Sequence, residues 1–200
     1  MLKVGITGGI GVGKTVVARM FELLGIPVYD SDGRAKWVMV NDKALKTELI
    51  AAFGPEAYTE DGELNRTYIG SIVFNNPERL QQLNSLVHPH VRYDFFNWVS
   101  QHADKPYIIK EAALMYESEA WKQIDKMIAV YAPLEVRLKR LLKRDKHRTE
   151  ADIRAIISKQ LSEEEKMARA DFVITNDDLQ MVIPQVLALH EQFLKLASHQ

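Results

Sequence analysis

Residues 8–15 read Gly8-Gly9-Ile10-Gly11-Val12-Gly13-Lys14-Thr15. This is a complete G-x-x-x-x-G-K-[ST] phosphate-binding loop, and it begins where the apolar segment Val4 to Ile6 ends. Each part has a mechanical task. The glycines let backbone N–H groups approach phosphate oxygens with no Cβ in the way. Lys14 can reach β- and γ-phosphates, and the Thr15 hydroxyl can ligate Mg²⁺. Val16 to Leu24 has the apolar spacing of a helix, so a helix N-terminus would face the same anion. A glycine turn with an incidental lysine would not be framed by strand and helix in this way.

Outward from the loop, four more apolar segments read as strands: Ile26 to Tyr29, Tyr107 to Ile109, Met127 to Tyr131, and Asp171 to Thr175. With Leu2 to Thr7 they make five. Near-continuous apolar runs suit strands buried on both faces, and alternation with helical patterns implies parallel crossovers. The expected fold is a layered α/β domain with a five-stranded parallel sheet. More than seventy residues separate Tyr29 from Tyr107. They read mainly as helix, over Ala44 to Phe53, Arg66 to Val73 and Glu78 to Trp98. A plain crossover needs one helix, so 33–104 is expected to be a helical insertion after strand two, and 1–32 with 105–200 the nucleotide-binding core. The insertion would cover a substrate or merely stabilise the fold. Leu179 to Leu196 reads as an amphipathic packing helix.

Composition narrows the function. Hydrophobic residues are 46% and charged residues 26% of 200, which is ordinary for a globular protein. A net charge of −1 gives no basic field for nucleic acid. With no cysteine there is no disulfide or thiolate metal site, and no apolar run is long enough for a bilayer. No signal peptide is visible at the N-terminus. The expectation is a cytoplasmic enzyme without membrane, nucleic-acid or obligate protein partners.

Phosphoryl transfer needs positioning, charge neutralisation and a group that orients the attacking oxygen. Asp30 and Asp32 follow strand two and would share a side if the chain stayed extended. One could accept a hydroxyl proton, or Ser31 or Asp32 could instead cap a helix over Gly33 to Val40. Glu111 ends the third strand, where it serves Mg²⁺ through water or is simply exposed. Arg137, Arg140 and Arg144 lie within roughly 60° on a helical wheel, followed by Arg148. That face suits a lid over phosphates at about 140–165, or plain solvation. Asn176 would read a base edge or cap a turn with Asp177 and Asp178. Asp30-Ser31-Asp32-Gly33 also spells D-x-x-G, the mark of a GTP switch. It stands only seventeen residues after Gly13, and the chain contains no Asn-Lys dipeptide to read guanine.

In this order and spacing, the motifs resemble the dephospho-CoA kinase family. The resemblance rests on Ile6 to Lys14, on Asp30-Ser31-Asp32, and on Leu83-Asn84 with Val87-His88-Pro89. It also rests on Arg140 with Arg144-Asp145, and on Ala170-Asp171, Val173-Ile174 and Asn176. Val12 and Val16 stand where that family often carries hydroxyl residues, Lys36 where Arg is common, and Ala112 to Met115 replaces a Pro-Leu-Leu. The resemblance implies a three-layer P-loop kinase fold, with ATP and Mg²⁺ as cofactors and dephospho-CoA as substrate. It implies γ-phosphate transfer to the ribose 3′-hydroxyl. Asp32, Lys14, Arg140 and Arg144 would be catalytic. Gly8, Gly9, Gly11, Val12, Gly13, Lys14, Thr15, Val16 and Asn176 would bind nucleotide. Asp32 and His88 would bind the acceptor, and Thr15 the metal, with Asp30 or Glu111 serving it through water. Another small-molecule kinase, for nucleosides or nucleotides, is the alternative.

Overall fold

The structure, a computed structural model, describes residues 1–74 and 76–198, so the last two residues of the 105–200 segment lie outside it. The chain forms two compact units, Met1–Asp30 with His102–Gln200, and Ser31–Gln101.

The first unit is an α/β layer structure. Its strands are β1 (Leu2–Thr7), β2 (Val28–Asp30), β3 (Tyr107–Glu111), β4 (Lys126–Tyr131) and β5 (Phe172–Thr175). All neighbouring pairs are parallel, in the order β2-β3-β1-β4-β5. The edge position of β2 suits Pro27, which has no N–H to donate, although its carbonyl accepts from Ile109 N at 2.9 Å. β1 connects away toward β2 while its neighbour β4 connects toward β5. Adjacent strands whose connections diverge leave a crevice at their C-terminal ends. The loop of residues 8–13 opens there.

Helices α1 (Lys14–Leu23) and α9 (Val182–Ala197) cover the sheet with Val17, Phe21, Val186 and Phe193. Phe193 packs edge-on to Tyr107 and Phe172, at centroid distances of 5.4 and 5.3 Å. The buried Tyr107 hydroxyl pairs with His190 Nδ1 at 2.6 Å. α9 begins three residues later than its apolar pattern predicts. The Asp177 carboxylate accepts from Leu179 N and Gln180 N at 2.9 and 2.8 Å, making a turn that competes with helix. The arginine-bearing segment forms α6 (Leu134–Arg144), α7 (Glu150–Ile157) and α8 (Glu163–Arg169).

The second unit packs α2 (Ser31–Asn41), α3 (Lys43–Phe53), α4 (Arg66–Val73) and α5 (Pro77–Gln101) around Val38, Leu45, Leu49, Phe53, Ile69 and Val87. Buried polar tips find backbone acceptors: Tyr58 OH donates to Met39 O at 2.6 Å and Tyr68 OH to Phe53 O at 2.8 Å. Burial, then the negative charge of Asp42, pushes the Tyr58 phenol up to about 12. Arg34 on α2 chelates Asp94 on α5 through two N–H groups.

Asp42 ties three parts of this unit together. One oxygen caps α3 by accepting from Ala44 N and Leu45 N, and the other meets His90 Nδ1 at 2.8 Å. His90 Nε2 reaches Glu48 at 3.3 Å. Burial alone would lower the His90 pKa, but the Asp42 hydrogen bond and charge, then Glu48, raise it above the ordinary value. Burial would raise Asp42, but the His90 hydrogen bond and the capping N–H groups lower it.

The His90 contribution is therefore complete below the unfolded imidazole value, about 6.5, and is lost as pH rises through the folded value. The Asp42 contribution is complete above the unfolded carboxylate value, about 3.9, and is lost as pH falls through the folded one. Urea denaturation should find His90→Gln less stable than the parent by about 1 kcal/mol near pH 5.5, with the gap closing as pH rises through the folded imidazole value. A gap independent of pH would mean that His90 carries no charge in this contact.

Candidate functional site

The loop after β1 depends on close backbone approach. Gly8 lies against the Val130 carbonyl of β4, where a Cβ would overlap it. Gly13 has φ +92 and ψ 26, the left-handed conformation that lets the loop turn into α1. Its carbonyl accepts from Val16 N and Val17 N at 3.0 and 3.2 Å. The first N–H groups of a helix have no acceptor within it, and at α1 they stand where a phosphate would bind. Lys14 Nζ bends back over the loop to the carbonyls of Gly8 and Gly9, at 2.9 and 3.4 Å.

Side chains from later in the sequence hold the loop from outside. On α6, Arg137 Nε donates to Ile10 O at 2.9 Å, and Arg140 Nη1 reaches Val12 O and Gly11 O at 3.4 and 3.5 Å. Beyond β5, Asn176 Nδ2 donates to Val12 O at 2.8 Å. Its other amide atom, Oδ1, accepts from Arg140 Nη2 at 3.0 Å, and that nitrogen also meets Asp178 at 2.5 Å. Gln160 Oε1 accepts from Ile10 N at 3.0 Å. Leu141 packs against Gly11 so closely that a Cβ there would lie 3.0 Å from it. These contacts fix which way the loop's peptide groups face before any ligand arrives, which is preorganisation of an anion site.

Three oxygen-bearing residues, Thr15, Asp30 and Glu111, stand at the ends of β2 and β3 and the start of α1. Strand register pairs Asp30 and Ile6 with Glu111, placing the Asp30 and Glu111 residues at adjoining strand ends. Thr15 Oγ1 donates to Glu111 Oε1 at 3.4 Å. Hydroxyl and carboxylate oxygens suit a hard cation such as Mg²⁺ that keeps several waters and shares its shell with phosphates. Among the described residues no cluster of three or more His, Cys, Asp or Glu could hold a metal by itself. Glu111 is mostly buried, not exposed at the strand edge.

The structure departs from the sequence expectation at three places. The backbone turns helical at Ser31, so Asp32 sits in the first turn of α2, and the alternation that would put it beside Asp30 does not apply. Neither Ser31 nor Asp32 precedes that helix as a cap. The Ser31 hydroxyl is buried without a hydrogen-bond partner among the described residues. Arg137, expected on an exposed cationic face, is 3% exposed. The wheel is right in angle, but the face that carries Arg137 and Arg140 packs on the loop. Arg144, one turn on, bonds both oxygens of Asp145 at 2.8 and 2.9 Å, and Arg148 joins the same carboxylate at 3.3 Å. The Arg144 hydrogen bond is the main reason Asp145 stays below the usual carboxylate range. Asn176 bonds the loop backbone, while Asp177 makes the turn. In the helical unit, burial and then Arg92 hold the His88 imidazole toward its neutral form.

Gln160, Glu163 and Lys166 escaped the sequence reading. The spacing Ser162 to Glu165 announces a helix start, and the structure contains that capping box. Nothing in a short charged segment says that Lys166 ends fully buried.

A family model described as dephospho-CoA kinase matches residues 2–181. The dephospho-CoA kinase of Bacteroides fragilis strain YCH46 is 40% identical over 188 residues, covering 94% of this chain and 91% of that one. That of Porphyromonas gingivalis is 35% identical over 191 residues, covering 96% and 94%. A crystal structure of a Thermus thermophilus protein superposes with a TM-score of 0.82 at 32% identity, covering 98% and 97%. Dephospho-CoA kinase from Campylobacter jejuni gives 0.71 at 24% identity, covering 96% and 97%, and shares the fold.

Gly13 offers a test of the loop. An alanine there meets the left-handed penalty of about 1–2 kcal/mol and displaces the Asn176 amide, which stands where the methyl group would go. Gly13→Ala should lower thermal stability and weaken nucleotide binding at least tenfold by calorimetry. Unchanged nucleotide affinity would show that the loop does not need this conformation.

Proposed function

The chain belongs to the dephospho-CoA kinase family, and we propose that it moves the γ-phosphate of ATP to the ribose 3′-hydroxyl of dephospho-CoA, giving CoA and ADP. The observation that carries this reading is the complete phosphate-binding loop, folded between β1 and α1 and held by Arg137, Arg140 and Asn176, in a chain matched to that family over residues 2–181.

The 3′-oxygen attacks the γ-phosphorus, the bond from that phosphorus to the β,γ-bridging oxygen breaks, and ADP leaves. The hydroxyl proton goes to Asp32, which follows β2 by two residues. Lys14 and the loop amides carry the β- and γ-phosphates, with Val12, Val16 and Asn176 beside the nucleotide. Thr15 would hold Mg²⁺, with Glu111 or Asp30 bonding its waters. The ion would neutralise charge on the β- and γ-phosphates. Arg140 is already at the loop. Arg144 serves by exchanging Asp145 for a phosphate oxygen as the part of the expected 140–165 lid that lies beyond Leu141 and before Gln160 closes, an exchange between two charge-assisted partners of similar kind.

We assign acceptor binding to the helical unit, through His88. An adenosine bearing a long pantetheine arm needs more cover than a bare nucleoside, and a largely neutral imidazole can donate or accept within it. No described helix is long and apolar enough to cross a membrane. We also propose a cytoplasmic location, which a chain without cysteine fits.

ADP formation should depend on dephospho-CoA, and the new phosphate should be found on the 3′-oxygen by phosphorus NMR of the product. Faster turnover with AMP or a nucleoside would make this a different small-molecule kinase. Asp32→Asn should retain ATP affinity and lose turnover by about 10²–10⁴-fold. Near-normal turnover in that variant would remove Asp32 from the mechanism.

A further inference from the structure

Three charged side chains are buried directly behind Gly9. The side chains of Arg137 on α6, Glu163 on α8 and Lys166 on α8 are 4%, 10% and 0% exposed. Glu163 Oε1 receives both cations, Arg137 Nη1 at 3.4 Å and Lys166 Nζ at 3.3 Å. Two cations on one carboxylate leave a formal charge of +1. Charge withdrawn from water is unfavourable unless something of opposite sign answers it. Arg137 Nη2 is also buried with no hydrogen-bond partner among the described residues.

The cluster touches the loop closely. Gly9 has an ordinary backbone torsion, so conformation alone does not call for glycine. A Cβ at Gly9 would overlap Arg137 Nη2 and Glu163 Oε1. A larger residue there would have to displace the tips of the ion pair. Arg137 Nε meanwhile holds the carbonyl of the next residue, Ile10. A pair placed only to pin α8 onto the sheet would need neither the close approach to Gly9 nor the second cation.

We propose that Arg137 is a positioning residue for the donor phosphates. It fixes the Ile10 peptide, and together with Lys166 it sets an uncompensated positive charge behind the loop. In a low-dielectric interior that charge is weakly screened and acts on the phosphates in front of the loop. This inference rests on the reading that the loop binds ATP.

Three variants separate the electrostatic role from simple packing. Arg137→Gln leaves a formal charge of zero, Glu163→Gln leaves +2, and the double variant returns to +1. With Mg²⁺ present, calorimetry should find Arg137→Gln weaker for ATP by tenfold or more, but less than threefold weaker for AMP. The KM for dephospho-CoA should be unchanged within twofold. Glu163→Gln should melt at a lower temperature yet bind ATP at least as tightly as the parent. The double variant should recover most of the ATP affinity lost in Arg137→Gln.

Wild-type ATP affinity in Arg137→Gln, or equal losses for ATP and AMP, would overturn the proposal. So would ATP affinity that falls in step with melting temperature in Glu163→Gln. If Arg137→Gln does not fold, the other two variants decide, and a Glu163→Gln protein weaker for ATP overturns it. A wild-type protein that binds no ATP would instead remove the functional reading on which this one stands.

Discussion

A phosphate-binding loop works only if its peptide groups face one way, and much of the nucleotide-binding unit is arranged to enforce that. Glycines permit the turn but do not choose its direction. The choice is made by donors that seize the carbonyls: Arg137 on Ile10, Arg140 on Gly11 and Val12, and Asn176 on Val12. Their parent segments are fixed by packing, with Leu138 and Leu141 buried on α6 and Ile174 buried on β5. The hydrophobic core thus acts on the site by locating the ends of β4 and β5. From there short reaches of side chain settle the loop.

Charge is handled by position more than by amount. Arg144 and Arg148 share Asp145 at the surface, where ion pairs contribute little to stability and exchange partners easily. Arg137, Glu163 and Lys166 are buried from water, with ion pairs at 3.3–3.4 Å. The same helical stripe that carries Arg137 and Arg140 therefore ends in groups suited to different tasks. Its inner residues bond the loop, and its outer residue bonds Asp145. In the helical unit Asp42 joins a helix cap and a histidine in one carboxylate.

The sheet was legible because its strands are short apolar runs, a signal that burial on both faces imposes. All five appear within two residues of their expected ends, and the mainly helical character of the long segment after β2 followed from its residue pattern. The candidate site was legible where a motif compresses chemistry into adjacent residues, as in Gly8 to Thr15. Elsewhere it was not. Asp32 lies in a helix, because a local preference for extended chain after β2 could not be weighed against the first turn of α2. Arg137 looked solvent-facing, because a helical wheel gives angles between residues but not which neighbour occupies each angle. Lys166, buried beside Glu163, resembled any charged helix pair.

By itself the sequence determined the class of fold, the phosphate-binding loop and the family. These reside in local pattern and in residue order, which need no knowledge of distant contacts. Only the tertiary structure decided what holds the loop. Its clamps come from residues 137, 140, 160 and 176, more than a hundred positions away from it. It also decided that Gly9 lies against the tips of a buried ion pair. Such facts depend on which side chains the sheet and helices bring within hydrogen-bonding distance, and separation along the chain carries no record of that.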